Sequence, residues 1–121
     1  MTIERRNVGK GLSDLVIYAP PPSGRLIYLA GQVAEDPDAD IAGQARSVLK
    51  QIDRLLDEAG SDKTRILSAT IYLPDMGDYA GMNAVWDAWV PPGETPARAT
   101  VQAKLANPKY RIEIQVVAAG G

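Results

Sequence analysis

Short apolar runs separated by turn residues dominate the start of the chain. Residues 14–18 and 25–30 are apolar and rich in β-branched side chains, which predicts two strands. The segment 20–24, three prolines followed by Ser23 and Gly24, predicts the turn between them. Residues 2–8 could form one more strand that pairs at an edge. The chain is therefore predicted to begin with β-structure.

A repeat of three to four residues replaces this pattern after Asp40 and predicts an amphipathic helix. Asp40 is a suitable N-cap, and Gly60 is a suitable left-handed stop. The apolar stripe is wide enough to cover one face of a sheet. Its members are Ile41, Ala45, Val48, Leu49, Ile52, Leu55, Leu56 and Ala59.

The second half of the chain predicts a strand, a helix and two more strands. Residues 66–73 form a largely buried strand that Pro74 closes. A helix follows, with Asp75 or Asp78 as its cap and residues 91–93 as its end. One face of this helix carries Tyr79, Met82, Trp86 and Trp89, and the two tryptophans indicate heavy burial in the core.

The last two strands are predicted at residues 98–104 and 111–117, joined through residues 107–109. The order β-β-α-β-α-β-β indicates an α+β fold, with two helices packed on one face of a mixed sheet. No linker divides the 121 residues, so one domain spanning residues 1–121 is expected.

Polar residues alternate with apolar ones in both final strands. Two interpretations stay open. The polar faces could be the solvated outside of a sheet. Alternatively, small residues at 97, 99 and 103 face the helices, and the polar residues line a surface between subunits. The polar residues concerned are Arg98, Thr100, Gln102, Glu113 and Gln115.

Composition narrows the possible chemistry. Thirteen basic and 15 acidic residues give a net charge of −2 without a basic block, which argues against a nucleic-acid partner. No apolar run reaches the ~18 residues of a membrane helix, so no membrane partner and a cytoplasmic location are expected. Because Cys and His are both absent, His-dependent and Cys-dependent triads and nearly every zinc site are excluded.

Several short motifs together resemble the signature of the RidA (YjgF) family of enamine/imine deaminases, and they span nearly the whole chain. Each is weak alone, but their joint order and spacing is specific. The motifs are Leu-Ala-Gly-Gln-Val at 29–33, Asp-Met-Gly-Asp-Tyr at 75–79, Asn83, Pro-Ala-Arg-Ala-Thr-Val at 96–101 and Ile-Glu-Ile at 112–114.

The resemblance implies a chorismate-mutase-like α+β subunit in a homotrimer. Three clefts between subunits would hydrolyse 2-enamine or 2-imine acids to 2-keto acids and ammonium, with no cofactor and no metal. Arg98 matches the family residue that grips the substrate carboxylate, and Glu113 matches the one that positions or deprotonates water. The matching positions that line the cleft are Ala30, Gly31, Asn83 and Thr100.

Three departures from the family pattern bear on the substrate. Ala30 stands where the family has Ser, and the family tyrosine near the N-terminus has no match around residues 12–14. Trp86 and Trp89, with the triple-proline turn, resemble the divergent YoaB-like branch of the family. The side-chain preference of the substrate therefore stays open.

Strand pairing raises a geometric question about the site. If the last two strands formed a hairpin, Glu113 would lie near Gln102 and roughly 13 Å from Arg98, too far for one small acid to bridge. Either the strands are not neighbours or the site is completed by another subunit.

The competing functions are a non-catalytic binder of small carboxylates or chaperone-like trimer, a ribonuclease and a chorismate mutase. The acidic balance and the absence of His oppose the ribonuclease. A mutase must bind two carboxylates, and the sequence offers one well-placed Arg.

Overall fold

The computed structural model describes residues 3–120 and contains six strands and two α-helices in that range. Thr2, the first residue of the predicted N-terminal strand, lies outside the described residues. The elements are β1 (Ile3–Val8), β2 (Ser13–Tyr18), β3 (Arg25–Tyr28), α1 (Ile41–Glu58), β4 (Ile66–Leu73), α2 (Tyr79–Trp89), β5 (Ala97–Gln102) and β6 (Glu113–Gly120).

The main sheet has four strands in the order β3-β6-β4-β5. Strands β4 and β5 run parallel, whereas β6 is antiparallel to both of its neighbours, so the sheet is mixed as predicted. Strands β1 and β2 form a separate antiparallel pair. The predicted order of elements is confirmed, including the extra N-terminal strand.

The β1–β2 pair is fastened to the start of β5 by buried hydrogen bonds. The Ser13 amide donates to the Pro96 carbonyl at 2.9 Å, and the Ser13 hydroxyl donates to the Thr95 carbonyl at 2.7 Å. Ser13 and Thr95 are both buried, so these bonds are shielded from water. They hold the loop at residues 9–12 beside α2.

Helix α1 has the ends that the sequence predicts. The Asp40 carboxylate accepts from the Gly43 amide at 2.8 Å, and Gly60 adopts a φ of 77° just beyond the helix. The apolar stripe of α1 faces the sheet and forms a core with the inward residues of β4 and β6. Both helices pack on this one face of the sheet. No helix within residues 3–120 is both long enough and apolar enough to cross a membrane.

Neither Asp75 nor Asp78 caps helix α2 in the simple way that the sequence predicted. Asp75 accepts from the Gly77 amide at 2.8 Å and starts a 3-10 turn, Met76–Asp78, that leads into the helix. Asp78 makes no capping bond and instead pairs with Arg111 at 2.8 Å. Trp86 is buried in the core, whereas Trp89 is only partly buried and its indole donates to Asp53. Heavy burial is therefore correct for Trp86 only.

Strands β5 and β6 are not neighbours, because β4 lies between them. Their ends also differ from the prediction: β5 stops at Gln102 instead of residue 104, and β6 begins at Glu113 instead of Arg111. The long connection from Gln102 to Glu113 lets the chain pass β4 and return antiparallel on its far side. Of the two options that the sequence left open, the first is therefore correct: the last two strands are not neighbours.

Candidate functional site

Arg98 lies on the helix side of the sheet. The expectation that it shares one polar surface with Glu113, with the alanines of β5 facing the helices, is therefore wrong. Arg98 pairs with Ala69, whose side chain is buried under the helices, and paired residues of adjacent strands point to the same face. Thr100 pairs with buried Ile71 and therefore lies on the same side. Ala97 and Ala99 occupy the open face instead, because α2 offers polar partners to the Arg98 guanidinium.

Helix α2 fixes the Arg98 guanidinium through two hydrogen bonds and two aromatic rings. Nη1 donates to Asn83 Oδ1 and Nη2 donates to the Tyr79 hydroxyl, each at 2.9 Å. Cζ lies 5.9 Å from the centre of the Tyr79 ring and 5.5 Å from that of Trp86. Two of the five guanidinium N–H groups are used in these hydrogen bonds, so the group can still donate to a ligand.

These residues border a cavity of about 330 Å³ between α2 and the loop at residues 9–12, which we call the Arg98 pocket. The cavity is large enough for a small organic acid. It is lined by Asn7, Gly9, Lys10, Gly11, Leu12, Asp14, Tyr79, Asn83, Asp87 and Arg98.

Two residues that line this pocket have buried polar atoms without a hydrogen-bond partner, Arg98 at Nε and Asp87 at Oδ1. Among residues 3–120 four other side chains have such an atom, and one of them is Thr100, two residues after Arg98 on β5. Burying such atoms without a partner is unfavourable, and native structures contain few of them. A polar ligand in this cavity would supply partners to such atoms.

Glu113 belongs to a second cluster, on the open face of the sheet. It pairs with Tyr72 of β4 and is half-buried. Gly31 lies directly against it: a side-chain carbon added at Gly31 would lie 2.0 Å from Glu113 Oε2. Only glycine leaves room for the carboxylate in this position. We call Glu113 with Gly31 and the adjacent Ala30 the Glu113 ledge.

A β-bulge brings Gly31 to Glu113. Tyr28 pairs with Val117 and Gln32 forms a bridge with Ile114, so three residues, 29–31, lie opposite two, 115–116. An extra residue in one strand bends that strand and redirects its backbone. The bend places the motif around Gly31 beside the first residue of β6.

The two clusters do not meet within one chain. Arg98 is level with Ala69 of β4, whereas Glu113 is level with Tyr72, three residues further along the same strand. Two strand spacings sideways and three residues lengthwise separate their Cα atoms by about 14 Å. The two side chains also point to opposite faces of the sheet. The ion pairs within residues 3–120 include neither of them.

Large apolar side chains are exposed on the open face that carries Glu113. Leu26 is 50%, Tyr28 70% and Val101 41% exposed. Leu26 and Tyr28 pair with Ala119 and Val117 of β6, so they lie on the same side of the sheet as Glu113. Exposed apolar residues clustered on one sheet face are typical of surfaces that bind another protein.

The sequence brought attention to six site positions, and the structure divides them into two groups. Arg98 and Asn83 line the Arg98 pocket, and Thr100 follows on the same face of β5. Gly31 lies against Glu113, and Ala30 precedes Gly31 in the sequence. Two further pocket residues were missed as site residues, Tyr79 and Asp87. The available signal was their four-residue spacing to Asn83, which places Tyr79, Asn83 and Asp87 along one side of α2.

The two helices on one face of a mixed sheet, with a pocket beside an edge strand, define a YjgF-like fold. The structure superposes on a YjgF-family protein from Neisseria meningitidis with a TM-score of 0.77 and 48% identity, over 100% of this chain and 97% of the other. It also superposes on the Rid-family protein YyfB from Yersinia pestis with a TM-score of 0.84, over 98% of each chain; at 22% identity this match concerns the fold alone.

Sequence comparison identifies the family. The model of the endoribonuclease L-PSP family matches residues 12–120. The RutC family protein YoaB of Escherichia coli strain K12 is 48% identical over 119 residues, which cover 98% of this chain and 99% of YoaB. The chain therefore belongs to the Rid (YjgF) family, and its resemblance to the YoaB-like branch is confirmed.

Proposed function

We propose that this protein hydrolyses reactive 2-enamine or 2-imine acids to 2-keto acids and ammonium, in three clefts of a homotrimer. Each cleft would join the Arg98 pocket of one subunit to the Glu113 ledge of its neighbour. The expected partners are thus small 2-imino and 2-keto acids and further copies of the chain. The absence of a cofactor and a cytoplasmic location stay predictions.

One observation carries this proposal: the pocket holds a fixed guanidinium whose free N–H groups have no carboxylate partner within residues 3–120. A carboxylate is the ligand that best matches the planar fork of Arg, because it accepts two parallel hydrogen bonds. Asn83 and Tyr79 accept hydrogen bonds from the guanidinium and fix its orientation, which reduces the side-chain entropy that Arg98 loses when a ligand binds. A small 2-substituted acid would therefore bind with its carboxylate on Arg98.

The Glu113 ledge supplies the other half of the chemistry. The substrate reacts as its protonated imine, which an enamine acid reaches by taking up a proton at its β-carbon. A carboxylate next to this iminium can take a proton from water, whose oxygen then adds to the iminium carbon and leaves OH and NH₂ on one carbon. Glu113 returns its proton to the nitrogen, the C–N bond breaks as the C=O bond forms, and the hydroxyl proton passes to the departing ammonia, which leaves as ammonium with the 2-keto acid. Water is the only co-reactant in this sequence.

Ala30 and Gly31 shape the ledge around the reacting carbon. Gly31 lets the Glu113 carboxylate approach the backbone, and Ala30 presents a methyl group and no hydroxyl. Catalysis by Arg98 and Glu113 does not depend on a hydroxyl at residue 30, because neither residue's role uses one.

The test is ammonium release from imino acids that an amino-acid oxidase generates in place. The spontaneous hydrolysis of imines is fast, so the rate of ammonium release must be measured at several enzyme concentrations. The slope of this rate against enzyme concentration then gives the enzymatic contribution. A slope above zero that disappears for Arg98→Ala supports the proposal. Saturable binding of pyruvate without any slope, for several imino acids, would instead support the alternative of a non-catalytic carboxylate binder.

A further inference from the structure

We propose that Asp87 is a positioning residue that sets the direction of the Asn83 amide and thereby holds Arg98 ready for a carboxylate. This inference rests on the proposed function and deepens it. Asp87 lies one helical turn after Asn83 on α2 and lines the Arg98 pocket. Like Arg98 it is half-buried, whereas the two remaining charged residues of the pocket, Lys10 and Asp14, are exposed.

A chain of two hydrogen bonds connects Asp87 to the guanidinium. Asn83 Nδ2 donates to Asp87 Oδ2 at 3.4 Å, and Asn83 Oδ1 accepts from Arg98 Nη1 at 2.9 Å. The two ends of this chain differ in kind, because an ionised carboxylate only accepts hydrogen bonds and a guanidinium only donates them. The amide between them satisfies both groups in one orientation alone.

The opposite orientation of the Asn83 amide would break both hydrogen bonds. Rotation of the Asn83 side-chain amide by half a turn would direct its NH₂ group at Arg98 and its oxygen at Asp87. Donor would then face donor, and acceptor would face acceptor. The long contact to Asp87 thus matters less for its own strength than for the orientation that it selects.

The loop at residues 9–12 passes close to the Asp87 carboxylate. A side-chain carbon at Gly11 would lie 2.7 Å from Asp87 Oδ1 and 3.7 Å from Arg98 Nη1, so this loop closes over both groups. The Trp86 indole donates to the Gly11 carbonyl at 2.6 Å and fixes the loop on α2. Glycine at position 11 is therefore what allows the Asp87 carboxylate to sit beside the guanidinium.

Asp87 contributes little to the stability of the fold. Its Oδ1 is buried without a hydrogen-bond partner, and no Arg or Lys within residues 3–120 forms an ion pair with it. A buried carboxylate oxygen without a partner is unfavourable for folding. A purely structural role therefore predicts that replacing Asp87 lowers the stability of the fold, whereas a positioning role predicts that it lowers ligand affinity without lowering stability.

The experiment is calorimetric titration of the intact protein with pyruvate, together with thermal unfolding. Asp87→Leu keeps the size of the side chain but cannot accept a hydrogen bond, and Asp87→Ala serves if the Leu variant fails to fold. We expect a loss of affinity on the order of fivefold, with a melting temperature that is unchanged or higher. Asp87→Asn, which can still accept from Asn83, should recover most of the affinity. Asp57→Leu, at an exposed position of α1, is the matched control and should bind as the wild type does.

A double-mutant comparison tests whether Asp87 acts through Asn83. In an Asn83→Ala background, Asp87→Leu should no longer change the affinity, because the intermediate group is gone. An equal effect in both backgrounds would overturn the inference, as would unchanged or tighter binding by Asp87→Leu alone. If the wild type itself binds neither pyruvate nor 2-oxobutanoate, the proposed function fails, and this inference fails with it.

Discussion

Arg98 and Glu113 lie on opposite faces of one sheet, and strand β4 separates the strands that carry them. Arg98 points under helix α2, where Asn83 and Tyr79 hold it. Glu113 points to the open face, where Gly31 lies against it. One chain therefore presents two separate clusters, and under the proposed function a second copy of the chain brings the missing half of the site to each.

The open sheet face predicts a homotrimer in solution. Leu26, Tyr28 and Val101 expose apolar surface beside Glu113, and covering it would stabilise so small a protein. Light scattering at micromolar concentration should give three times the chain mass of 13.0 kDa. A single charge placed on this surface, Tyr28→Glu, should dissociate the assembly. A monomeric wild type would contradict the shared cleft.

Arg98→Lys should weaken the binding of keto acids and leave the fold intact. The substitution keeps the charge but removes the planar fork, and one ammonium cannot reach Asn83, Tyr79 and a carboxylate with the same geometry. We expect a loss of affinity for pyruvate on the order of tenfold by calorimetry. Arg54→Lys, at an exposed position of α1, is the control. Equal affinity of wild type and Arg98→Lys would mean that the carboxylate binds elsewhere.

Glu113→Gln should separate binding from turnover. Glutamine keeps the size of the side chain and one acceptor, but it cannot take a proton from water. Pyruvate should still bind, and the rate of ammonium release should fall on the order of 10²-fold. Glu58→Gln, on the exposed side of α1, controls for the change in net charge. A wild-type rate from the Gln variant would assign Glu113 a structural role.

Gly31→Ala, like Glu113→Gln, should lower the rate of ammonium release, although both Arg98 and Glu113 are retained. The new methyl carbon would lie 2.0 Å from Glu113 Oε2 and 2.8 Å from its carboxyl carbon, so the carboxylate has to move. Because the far end of a flexible side chain can turn away, we expect a folded protein with displaced Glu113. Gly43→Ala, near the start of α1, is the matched control. Turnover in Gly31→Ala equal to that of the control would show that the position of the carboxylate is unimportant.

Much of the fold was predictable because its signals are local. The three- to four-residue repeat after Asp40, its N-cap and Gly60 at the end describe α1 as the structure has it. The alternation from Ile112 to Val116 likewise identifies the buried side of β6. These features depend on residues within a few positions of one another, so a single sequence contains them.

The arrangement of the site was less predictable because it depends on which strands are neighbours. Alternation shows that Arg98 and Ala99 point to opposite faces, but it does not show which face meets the helices. Small alanines favoured the helix side, and the structure places Arg98 there because Tyr79 and Asn83 offer it partners. Such a choice is made by contacts between distant segments, which periodicity does not record.

The shared cleft can be tested by mixing two defective subunits. Arg98→Ala and Glu113→Gln chains, unfolded together in equal amounts and refolded, would form mixed trimers, with a purification tag on one chain to verify them. A cleft with Arg98 from one chain and Glu113 from the other is then intact. Random assembly makes about one quarter of all clefts intact, so ammonium release should recover to about that share of the wild-type rate. Activity that never exceeds the mean of the two separate variants, in trimers shown to be mixed, would contradict a site shared between subunits.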